Sequence, residues 1–70
     1  MSSPPPLIVN GEPYELPEPA TVAALLARLG VAAARVAVEV NEEVIPRGSY
    51  EARRLAAGDR VEIVHFVGGG

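Results

Sequence analysis

Apolar and polar positions change period several times along this chain, and each change marks a boundary. Leu7-Ile8-Val9 is a brief β-branched run followed by Asn10-Gly11, a pair that tolerates the positive φ angles a two-residue hairpin turn needs at both central positions. A strand, a tight turn and a second strand over residues 12–16 are predicted. Pro13 lacks a backbone donor and marks that second strand as an edge. Pro17, Glu18 and Pro19 then break the chain, Thr21 offers an N-cap, and Val22, Leu25, Leu26 and Leu29 recur at i, i+3, i+4 and i+7. That spacing predicts one helix with a single apolar stripe, stopped by Gly30 in the left-handed conformation of a C-terminal cap.

Beyond the helix the period changes to two. Val36, Val38 and Val40 alternate with Ala37 and Glu39, which predicts a half-buried strand with its valines inward. Asn41-Glu42-Glu43 reads as a turn, Val44-Ile45 as a short strand ended by Pro46, and residues 47–57 as an irregular, arginine-bearing crossover anchored by Leu55. Ala57-Gly58-Asp59 turns the chain into the run from Val61 to Val67, the longest β-rich stretch and the expected central strand. These elements predict an α+β fold, a mixed four- to five-stranded sheet with one main helix packed on one face, in a β-grasp arrangement. The expected organisation is a flexible lead-in over 1–6, one domain over 7–67 and a flexible glycine tail over 68–70.

Composition narrows the chemistry. Of 70 residues 49% are hydrophobic, but eleven are alanine, and a chain this short buries only about 60% of its unfolded surface. Little is left to wall in a deep pocket. The absence of cysteine excludes a disulfide framework, a thiolate zinc site and a cysteine nucleophile. Net charge is −3 and all six basic residues are arginine, a balance that argues against a nucleic-acid partner. No apolar run approaches a membrane span and the start lacks the basic and apolar regions of a signal peptide, so a soluble, cytoplasmic chain is expected, with no membrane partner.

Side chains offer few reactive groups. His65 is the single histidine and lies among strand residues, where a structural or surface role outweighs metal ligation, and no metal site is expected. Ser2, Ser3 and Ser49 lack a glycine elbow and a base at recognisable spacing. No catalytic side chain is assigned. The remaining group is the main-chain carboxylate of Gly70, ionised at neutral pH and unhindered at its α-carbon. Gly68, Gly69 and Gly70 together extend roughly 10 Å, enough to thread a carboxylate into another protein's active site.

The chain resembles the ThiS sulfur-carrier proteins of thiamin biosynthesis, within the ubiquitin-like β-grasp group. The resemblance rests on Val9-Asn10-Gly11-Glu12, on Ala20-Thr21-Val22 with Leu25-Leu26, and on Val36-Ala37-Val38-Glu39-Val40-Asn41. It continues through Val44-Ile45-Pro46-Arg47 and the stretch from Leu55 to Val64, and closes on the glycine tail. The lead-in is longer than usual for the family, and a third glycine precedes the expected pair. The resemblance implies a carrier that is acted on and binds no cofactor of its own. An E1-like, ThiF-like adenylating enzyme would use MgATP to convert the Gly70 carboxylate into an acyl-adenylate, and sulfur from a cysteine persulfide donor would replace AMP. The resulting thiocarboxylate, a 1-thioglycine at Gly70, would pass its sulfur to a ThiG-like thiazole synthase for the thiazole ring. Gly68 and Gly69 would form the threading arm. The alternatives are a molybdopterin synthase small-subunit-like sulfur carrier, a ubiquitin-like protein modifier and an inert binding module.

Strand alternation also proposes a docking surface. If Val61 and Ile63 face the helix, Glu62, Val64 and Phe66 face away, beside Ala37 and Glu39 if the two strands are adjacent, and Val64 and Phe66 form a small apolar patch beside the tail for the activating enzyme. The competing arrangement is a bulge that reverses the phase and buries Phe66. The acids Glu12, Glu15, Glu18, Glu42 and Glu43 either steer a basic partner or only solvate the surface, and Arg53 and Arg54 read first as a solvated loop.

Overall fold

A computed structural model describes residues 5–66. Five strands and one α-helix follow in the order β1 Leu7–Val9, β2 Glu12–Tyr14, α1 Val22–Leu29, β3 Val36–Val40, β4 Glu43–Ile45 and β5 Arg60–His65. The sheet order is β2-β1-β5-β3-β4. Among the described residues only β1 and β5 pair in parallel, Ile8 beside Arg60 and Val9 beside Val61, so the sheet is mixed, with β5 at its centre.

The local signals act as the sequence indicates. Asn10 and Gly11 turn the first hairpin at φ 50 and 84. Pro13 pairs with Ile8 on the edge strand, where its missing donor costs no ladder bond to a further strand. The Oγ1 of Thr21 accepts the Ala24 N–H at 3.1 Å, and Gly30 closes α1 at φ 71 while its own N–H reaches the Ala27 carbonyl at 3.2 Å. Asn41 and Glu42 turn the second hairpin, both left-handed at φ 52 and 71. Glu42 adopts this angle without the freedom of glycine.

One core lies between α1 and the sheet. Val22, Leu25 and Leu26 from the helix meet Val38, Val40 and Val61 from the strands, all at most 2% exposed. Five details differ from the sequence expectation. The central strand begins at Arg60 and, among the described residues, ends at His65 rather than running on through Phe66. The second strand stops at Tyr14, opposite Leu7, because β1 supplies only three partners and is preceded by Pro5 and Pro6. Glu43 belongs to β4, paired with Val40, so the turn is two residues long. Leu29, the last helical residue and the fourth of the predicted stripe, is exposed. The crossover holds two buried anchors, because Tyr50 joins Leu55 in the core.

Tyr50 has a backbone reason to be there. Its carbonyl accepts the Ala23 N–H at 2.9 Å, the Arg53 carbonyl accepts from Val22 at 3.0 Å, and the Leu55 N–H reaches Ala20 at 2.7 Å. These bonds strap the crossover across the start of α1, where helical N–H groups lack intrahelical partners.

Candidate functional site

Strand β5, with the residue after it, carries the two docking residues the sequence suggests, Val64 and Phe66. Its inward residues Val61 and Ile63 are buried beneath α1, and its outward residues Glu62 and Val64 stand on the face the helix leaves uncovered. Past the strand, the Phe66 N–H donates to the Arg35 carbonyl at 2.9 Å. The ladder thus holds the backbone as far as the last described residue, and no bulge reverses its phase. Val64 is 58% and Phe66 63% exposed. Gly68, Gly69 and Gly70 lie outside the described residues.

The rest of that face follows from register. Val64 lies opposite Ala37, and Glu62 opposite Glu39, which in turn faces Val44 on β4. Val44 is 66% exposed. Three of the four exposed large apolar side chains among the described residues, Val44, Val64 and Phe66, therefore belong to one face, interrupted by two adjacent carboxylates. Val44 escapes sequence reasoning because a two-residue apolar run does not say which member faces the core. The strand pairing settles it.

The other candidate groups do not converge. His65 is exposed opposite Val36, Glu42 and Glu43 are exposed at the turn, and no three His, Cys, Asp or Glu side chains among the described residues are grouped to hold a metal. Arg53 donates from its guanidinium to the Arg54 carbonyl, so it is used within its own loop. No helix of the described residues is long and apolar enough to cross a membrane. A groove of about 510 Å³ lies between the β1–β2 sheet edge and the crossover, lined by Pro6, Leu7, Tyr14, Leu16, Leu55 and Ala57 among others. It sits where β1 and β5 begin, at the opposite end of β5 from Phe66.

The model of the ThiS family matches residues 7–70, which takes in the whole sheet, the helix and the glycine end. The chain belongs to the ThiS family of sulfur carriers. Among curated relatives, this ThiS-family chain is 44% identical over 50 residues to the sulfur carrier protein ThiS of Bacillus subtilis, covering 71% of this chain and 76% of that protein. It is 47% identical over 64 residues to a thiazole synthase of Paramagnetospirillum magneticum, covering 91% of this chain but only 20% of that protein. A second thiazole synthase, from Magnetococcus marinus, is matched over 19% of its length, so the chain spans about a fifth of these relatives. Among solved structures, the thiamine biosynthesis protein ThiS of Geobacter metallireducens superposes with a TM-score of 0.76 at 42% identity, covering 91% of this chain and 97% of that one. The ubiquitin-like β-grasp fold is thereby shared with a ThiS protein.

Proposed function

We propose that this chain is a sulfur carrier for the thiazole ring of thiamin, acting through a thiocarboxylate at Gly70. It is a co-substrate rather than an enzyme. An E1-like, ThiF-like enzyme using MgATP adenylates the Gly70 carboxylate, which is a poor acyl donor until its oxygen bears a good leaving group. A persulfide donor supplies the sulfur, since the chain has no thiol of its own. A ThiG-like thiazole synthase accepts it. Gly68 and Gly69 thread the reacting end into each partner, and Val64 and Phe66 dock the domain beside it.

The observation that carries this reading is the family match running through the glycine end to residue 70. The thiazole synthases that contain a segment 47% identical to this chain support the choice of acceptor, because joining two activities in one polypeptide keeps co-acting parts together. A central strand hydrogen-bonded out to Phe66, the last described residue, supports this reading.

Intact-mass spectrometry tests it. After incubation with a ThiF-like enzyme, MgATP and a persulfide donor, the chain gains the mass difference between sulfur and oxygen, located in the C-terminal peptide. A chain lacking Gly70 gains nothing. An unchanged mass in the presence of an active cognate enzyme overturns the reading.

A further inference from the structure

Glu39 and Glu62 stand directly opposite each other on β3 and β5, in the middle of the helix-free face. Like charges at directly opposed positions of an antiparallel pair destabilise it. Apolar side chains flank them on two sides: Val44 opposite Glu39 on β4, and Val64 two residues beyond Glu62 with Phe66 after it, all more than half exposed. The bases nearest along these strands sit at the two ends, Arg60 before Glu62 and Arg35 opposite Phe66.

We propose that this face takes its partner through an arginine or lysine side chain that seats across Glu39 and Glu62, while Val44, Val64 and Phe66 receive apolar contact around it. The occupant is the adenylating enzyme, and the inference rests on the reading that Val64 and Phe66 dock it. Two carboxylates side by side match one guanidinium or ammonium, and an apolar surround that excludes water strengthens the attraction. The free domain carries the repulsion and the complex relieves it. Glu39 and Glu62 then determine specificity, by admitting a basic contact and rejecting an acidic one.

The test uses Glu39→Gln, Glu62→Gln and the double variant, each similar in shape to the parent side chain. Affinity for the ThiF-like enzyme is measured by calorimetry at low and high salt, and stability by thermal unfolding. Each single variant weakens binding roughly threefold to tenfold, the double variant weakens it less than the product of the two, and the salt dependence flattens. The free double variant melts no lower than the parent, because a repulsion has been removed. Glu51→Gln, in the crossover strapped to the start of α1, leaves binding unchanged. Parent-like affinity in the double variant overturns the inference, as does a matching loss of stability that accounts for the weaker binding. Phe66→Ser separates the two levels. If it binds like the parent, the docking reading itself fails; if it abolishes binding while the glutamine variants bind normally, only the role of the carboxylates fails.

Discussion

Ile63 and Asn10 lie 53 residues apart, yet the Ile63 N–H donates to the Asn10 Oδ1 at 2.8 Å and its carbonyl accepts from Asn10 Nδ2 at 3.3 Å. The parallel ladder between β1 and β5 is recorded at only two positions, because the chain turns away at Asn10. The side-chain amide then does what one more residue of β1 would have done. It holds β5 beside the first hairpin, one residue before the exposed Val64.

Asn10→Gly keeps the left-handed turn and deletes both bonds. A loss of about 1–2 kcal/mol is expected from the two hydrogen bonds, read as a lower urea midpoint at unchanged slope. An unchanged midpoint would show that water replaces the amide at no cost.

Much of the fold was legible because its signals are local. Asn10-Gly11 names a turn, Pro13 names an edge, and Thr21 and Gly30 bracket a helix, each through the conformations or donors its own backbone requires. The alternation of Val36, Val38 and Val40 assigned a face without knowledge of any neighbour. The central place of the last strand was legible from its length and composition, but its register and the contacts of the crossover were not. Tyr50 sits in an aperiodic stretch of polar and arginine residues, and only the bonds from Ala23, Val22 and Leu55 to and from that crossover explain its burial. The exposed Val64 and Phe66 followed from phase, but the meeting of Glu39 with Glu62 depends on register, which no local pattern supplies.

Tyr50 allows a separation of ring from hydroxyl. The residue is 4% exposed, and no side-chain nitrogen or oxygen among the described residues is buried without a partner. Tyr50→Phe should therefore unfold within about 1 kcal/mol of the parent, whereas Tyr50→Ala should cost about 3–5 kcal/mol by opening a cavity beneath the crossover. Chemical denaturation of both variants checks the difference. Equal losses would contradict it.

Glu42 supplies a stabilising change. At φ 71 in a two-residue turn, it holds a conformation that costs a side-chain-bearing residue roughly 1 kcal/mol. Glu42→Gly makes the turn Asn-Gly, like the first hairpin, and should raise the unfolding free energy by a good part of that amount. Gly30→Ala provides the opposite sign at φ 71, where an added Cβ meets nothing within 4 Å and the cost is purely conformational. A lower melting temperature for the alanine variant and a higher one for the glycine variant are the expected results.

Phe66→Ser addresses docking apart from stability. The side chain is 63% exposed, so its replacement should change stability by no more than about 0.5 kcal/mol while weakening association with the adenylating enzyme. Thermal unfolding and calorimetry on the same preparation provide both numbers. A collapsed melting transition would place Phe66 among the residues that hold the fold.

The central place of β5 also has a bearing on synthesis. Strands β1 and β2 form one hairpin and β3 and β4 another, and β5 joins the two within the sheet. A ribosome makes this joining strand after the other four described strands and the helix, so the growing chain cannot close this sheet until β5 has emerged. A chain cut short within that strand would leave two marginal hairpins for proteases to clear, rather than a folded domain that, on the proposed reading, competes for the partner enzymes without a group to be activated.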